Sequence, residues 1–164
     1  MLRNGIILIL LIVLTTYSCE RDDICAASTP TTPGLTIGFR SNENTLEAKP
    51  LNLDVYNIDR TKVIQFRNAS SISIPLRTDT TTTVFLFEKN PGNPDANEDP
   101  EDIDTLIINY TPQEVFISRA CGYKVIFTNL EIRPRPGATR WIDDININLR
   151  TVENEDTTQV YISH

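Results

Sequence analysis

The chain has 164 residues, 15 Lys and Arg against 22 Asp and Glu for a formal net charge of −7, and is 40% hydrophobic. That length and apolar content suit one domain with a real core, while the acidity argues against a nucleic-acid partner, whose phosphates are neutralised by Lys and Arg. The single histidine, His164, is a poor basis for Ser-His or Cys-His nucleophilic chemistry, and no enzyme activity is expected.

The chain opens with Met1–Gly5, in which Arg3 is the one charged side chain, followed by the unbroken aliphatic run Ile6–Leu14 and then Thr15-Thr16-Tyr17-Ser18-Cys19. A basic start, a short apolar stretch and a small polar end make up a secretory signal peptide. The run is far short of the roughly 20 apolar residues needed to cross about 30 Å of hydrocarbon. Its end resembles a lipobox, with Ser18 as the small residue before a cysteine that becomes acylated. Thr16 stands where Leu is usual, and Tyr17 is bulkier than the usual Ala or Ser; looser lipoboxes accept both. We therefore expect a signal peptide over 1–18 and lipidation of Cys19. Each buried acyl methylene contributes roughly 0.8 kcal/mol, so two or three chains hold a protein on a membrane durably.

Glu20, Asp22 and Asp23 follow Cys19 with Arg21 among them, an acidic cluster that resembles a surface-export signal of outer-membrane lipoproteins. Ser28-Thr29-Pro30-Thr31-Thr32-Pro33-Gly34 then reads as linker, giving a lipidated tether over 19–34 ahead of a domain over 35–164. Lipid on Cys19 leaves two of the three cysteines, Cys25 and Cys121. In an oxidising compartment an even number points to a Cys25–Cys121 disulfide, against the alternative of two free thiols.

From residue 35 the pattern is short strands punctuated by turns. The candidates in chain order are 35–40, 51–57, 62–67, 71–76, 82–88, 105–110, 114–118, 123–133, 141–150 and 159–163. Ile72, Ile74 and Leu76 alternate with polar residues and with Pro75, which cannot donate to a ladder and marks an edge or a strand end. Val84-Phe85-Leu86-Phe87 is apolar on both sides, as in a central strand. Ile145, Ile147 and Leu149 alternate with Asp144, Asn146 and Asn148 and predict one apolar face. With ten prolines and no helical period, the expected fold is all-β: an antiparallel β-sandwich, immunoglobulin-like or related, of about eight to ten strands.

Few constellations carry chemistry. Asp95, Asn97 and Asp99 alternate like the first ligands of a calcium loop, but Pro100 stands where that loop needs Gly and Leu106 where it needs a bidentate Glu; a solvated acidic loop is expected, with no metal and no cofactor. Arg133, Arg135 and Arg140 lead to Trp141, a stacking set for a sugar or partner; a hairpin connection ending in a core Trp is the favoured reading. Asp143 and Asp144 are strand neighbours and point to opposite faces. Asp79-Thr80, Asp104-Thr105 and Asp156-Thr157 resemble sites of O-glycosylation and make Thr80, Thr105 and Thr157 candidates.

The runs Cys19–Cys25, Thr32–Ile37 and Arg119-Ala120-Cys121-Gly122-Tyr123-Lys124 are similar to those of an uncharacterised family, a domain of unknown function, of small flavobacterial (Bacteroidota) lipoproteins. The resemblance implies the same compartment, an envelope lipoprotein of the outer membrane, on its surface or periplasmic face, with the later two cysteines in the same contexts. It implies no activity. The chain is thus expected to be a non-enzymatic binding or accessory module, held on a membrane by lipid, with a glycan or envelope protein as partner. A structural subunit of an outer-membrane complex is the next reading. A hydrolase would need two carboxylates facing each other across a cleft.

Overall fold

The computed structural model describes residues 24–91, 103–135 and 141–164. Among them are nine strands and no helix: β1 (Leu35–Arg40), β2 (Leu51–Asn57), β3 (Val63–Ala69), β4 (Ser71–Ile74), β5 (Thr82–Lys89), β6 (Ile103–Ser118), β7 (Gly122–Pro134), β8 (Asp144–Ile147) and β9 (Val160–Ser163). The larger of two compact units, Pro30–Val115 with Lys124–His164, is a β-sandwich. One sheet has the order β4-β1-β9-β8 and the other β3-β2-β5-β6-β7. The pairs β4–β1, β2–β3, β2–β5, β5–β6 and β8–β9 are antiparallel, whereas β1 and β9 run parallel.

Alternation builds the core. On β5, Thr83, Phe85 and Phe87 are buried while Val84 and Leu86 are half-buried on the other side. β6 repeats this with Asp104, Leu106, Ile108 and Tyr110 inward. Phe39, Phe87 and Phe127 are the largest fully buried side chains, packed with Leu35, Ile37, Leu53 and Ile162 from both sheets. Burying such a side chain contributes on the order of 1.5–3 kcal/mol. Tyr110 packs edge-on against Phe127, its hydroxyl donates to the Arg77 carbonyl at 2.8 Å, and burial raises its pKa. Gly38 lies opposite Tyr161, and a Cβ there would meet that ring at 2.9 Å; the ring in turn carries the Arg40 guanidinium at 3.2 Å from its centroid.

Seven strands, β3 to β9, differ from their sequence-based bounds, and three of them show why. Residues 105–110 and 114–118 form one strand, because Thr111-Pro112-Gln113 continues the extended chain and Pro112 does not interrupt it. On β7 the buried positions step from Phe127 to Leu130. Asn129 takes a positive φ of 56° there, a conformation that Asn tolerates and that lets two residues three apart face one core. Near the end the expected period-2 face is shorter: Ile145 and Ile147 pack on the core, but β8 stops at Ile147 and Leu149 is exposed. The amides of Asn148 and Leu149 both turn to the Gln159 carbonyl, at 2.8 and 3.1 Å, which takes the chain out of the ladder. Pro75 does follow the last residue of β4, an edge strand, and β5 is central in its sheet.

The described residues of the smaller unit are Ile24–Thr29 and Phe116–Tyr123. They contain the Cys25–Cys121 disulfide, with Cα atoms 4.9 Å apart and a sequence separation of 96. Gly122, with φ of +70°, makes the turn that begins β7. The Cys121 amide donates to Ser118 Oγ at 3.1 Å and closes that turn.

Candidate functional site

On the outer face of the five-stranded sheet β2 carries an acid where a solvated polar residue is the rule. Asp54 alternates with Leu53 and Val55, so it points away from the core, yet it is 4% exposed. Its cover comes from its neighbours. Arg67 Nη1 donates to Asp54 Oδ1 at 2.6 Å, Gln65 Nε2 donates to Oδ2 at 3.1 Å, and the Tyr56 hydroxyl reaches Oδ2 at 3.4 Å. The register places Gln65 directly across on β3 and Glu88 directly across on β5. Arg67 is half-exposed and Asp54 almost fully buried, so the pair's attraction is partly screened, while the buried carboxylate depends on all three donors.

Burial raises the Tyr56 phenol to about 12, with Glu88 and then Asp54 adding to the effect. The phenol stays protonated at any physiological pH and acts as a donor. Arg60 lies 5.7 Å from the centroid of its ring. On the same face Val63 sits opposite Tyr56 and is 45% exposed, and Leu86, Val84 and Ile107 form a half-buried aliphatic strip. The result is a shallow surface with an aliphatic centre, an aromatic ring and an ordered acid-guanidinium group at one side.

A second concavity of about 560 Å³ opens in the same unit between residues 30–33, Val115, Lys124 and Ile126, and the loop 153–156. Lys124 Nζ donates to the Glu153 carbonyl at 3.1 Å, and Glu155 Oε1 accepts from the Gly34 amide at 2.7 Å. The Val125 amide donates to Thr32 Oγ1 at 2.9 Å. Residues 30–34, the end of the expected tether, are thus bound into the sandwich. Among the described residues no three His, Cys, Asp or Glu side chains come together as metal ligands.

The sequence-derived candidates fall as follows. Cys25 and Cys121 are bonded to each other. Cys19, Glu20, Asp22 and Asp23 lie outside the described residues, as do Asp95, Asn97, Asp99 and Arg140. Trp141 is a core residue, 8% exposed, with its indole N–H donating to the Phe87 carbonyl at 3.1 Å. Asp143 and Asp144 are both exposed, and Asp143 accepts from Asn42. Thr157 is exposed in a loop, Thr80 is half-buried, and Thr105 sits mid-strand opposite Leu86 with its carbonyl accepting from Arg135. His164 is buried edge-on to Phe39 and Trp141, with Nε2 3.1 Å from the Lys49 carbonyl.

Residues 52–164 match the model of a family of unknown function, DUF6452. No curated protein and no solved structure matches the chain.

Proposed function

Taking as premise that the chain belongs to the family of unknown function DUF6452, we propose that it is a lipid-anchored, non-enzymatic binding module of the cell envelope, with the outer face of the five-stranded sheet as its recognition surface and an envelope protein as its partner. One observation carries this reading: Asp54 is buried on the solvent side of the sheet, fixed by Arg67, Gln65 and Tyr56 beside the exposed Val63. Fixed polar groups around an aliphatic centre suit protein recognition, in which apolar area supplies affinity and oriented hydrogen bonds supply register. The anchor is Cys19, reached through the signal peptide over 1–18, and the compartment is the outer membrane of a Gram-negative envelope, on its surface or periplasmic face.

The non-enzymatic part is supported by the state of the reactive groups. The histidine ring is packed between two aromatic rings and bonded to a backbone carbonyl, and the buried Asp54 is occupied by three donors. A glycan partner is the second reading, favoured by the Arg60–Tyr56 contact, since sugars stack on rings and bond to guanidinium groups.

A photo-crosslinking residue in place of Val63, introduced in cells that carry the full envelope, tests the assignment. The expected product is a discrete protein adduct that disappears when Leu86 is changed to Glu in the same chain. A carbohydrate adduct would select the second reading. Crosslinking no stronger than from Thr157, in the loop far along the sequence, would overturn the assignment of this face.

A further inference from the structure

The described part of the smaller unit exposes large apolar side chains and buries none. Ile24 is 85% exposed, Tyr123 66% and Phe116 56%. The two rings meet edge-on with centroids 5.3 Å apart, so they form one aromatic knob on the end of the β6–β7 hairpin. Tyr123 is two positions from Cys121, and Ile24 directly precedes Cys25. The Cys25–Cys121 bond therefore gathers all three residues at one end of the unit. Five residues separate Cys25 from Cys19, and the six residue steps between them span roughly 20 Å when fully extended. An acyl group on Cys19 would hold this end of the unit within that distance of the lipid surface.

We propose that the end of the β6–β7 hairpin, carrying Phe116 and Tyr123, inserts into the headgroup region of the membrane that holds the acyl chains of Cys19, and that the Cys25–Cys121 bond keeps it there. Tyrosine suits this position because its ring is apolar and its hydroxyl is wet, and aromatic rings concentrate at membrane interfaces. Exposed Arg119, in the turn itself, places a guanidinium beside lipid phosphates. The proposal rests on the lipid-anchor reading above and adds a second membrane contact with a defined set of side chains.

The test uses the full acylated protein with Tyr123→Trp, in vesicles of phosphatidylethanolamine and phosphatidylglycerol whose acyl chains are brominated close to the headgroups. Trp141, buried in the sandwich core, is the internal control. The emission added by the new tryptophan is expected to shift to the blue and to be largely quenched. Phe116→Ser, or reduction of the disulfide, is expected to weaken that quenching, with Trp141 unchanged. An acylated, vesicle-bound protein whose added emission is unquenched overturns the proposal and leaves the anchor standing. An intact mass without acyl chains on Cys19 overturns the anchor, and this proposal with it.

Discussion

The two units of the chain treat large apolar side chains in opposite ways. In the sandwich, Phe39, Phe87 and Phe127 are essentially inaccessible and are fixed by strand alternation on two sheets. In the smaller unit, Phe116 and Tyr123 face solvent, and the order of the segment comes from a covalent bond and one closed turn. Apolar burial holds the first unit; a cross-link holds the second. The difference teaches that an aromatic residue within a strand is not by itself evidence of a core: β6 buries alternate residues as far as Tyr110 and none beyond it.

The comparison can be broken by experiment, beginning with the cross-link. Because the bond closes a separation of 96 residues, replacing both Cys25 and Cys121 by Ser is expected to lower the unfolding free energy by on the order of 4–5 kcal/mol in the chain-entropy picture. Denaturant titration of the two proteins measures it, and an unchanged midpoint would mean that the bond constrains only its own neighbourhood. Phe87→Ala in the core is expected to cost about 3–5 kcal/mol by the same titration. Asp54→Asn keeps the shape but removes the charge that Arg67 and Gln65 serve, and is expected to cost about 1–3 kcal/mol. Phe116→Ser, the same residue type as Phe87 in the other unit, is expected to fall within about 0.5 kcal/mol of the native protein. A loss comparable to that of Phe87→Ala would erase the distinction between the two regions.

The smallest effect is a slope with pH. Burial lowers the His164 pKa from 6.5, with the nearby Lys89 and Lys49 adding to this and the Lys49 carbonyl and Asp143 opposing it. The unfolded chain therefore takes up this proton first. The stability associated with neutral His164 is fully present above about pH 6.5 and is lost as the pH falls below it toward the folded-state value. His164→Phe is expected to flatten stability between neutral and mildly acidic pH relative to the native chain. Identical pH profiles for the two would show that the ring titrates freely.

Much of this architecture is legible in the sequence, for identifiable reasons. β1 and β2 have the bounds that alternation and turn residues predict, and Pro75 marks the end of an edge strand because it lacks an amide to donate. With Cys19 set aside for lipid, the two remaining cysteines are the expected pair, and Cys25 is bonded to Cys121. Two features were not legible. Pro112 reads as a break between strands, whereas its segment stays extended within β6. Asp54 in Leu-Asn-Leu-Asp-Val reads as an ordinary outward acid; its burial arises from Arg67, Gln65 and Tyr56, two of them on another strand, and so from a register that no local window contains. The knob of Phe116 and Tyr123 was hidden for the same reason, since the alternation of β6 gives no sign of where the core ends.

The central proposal is that this chain, with its Cys25–Cys121 bond, is carried on lipid attached to Cys19. The most direct measurement is the intact mass of the protein extracted from its native membranes, taken before and after reduction. The account predicts a chain beginning at Cys19 with acyl chains added, gaining the mass of two hydrogens on reduction. A chain beginning at another residue, without lipid, would contradict it.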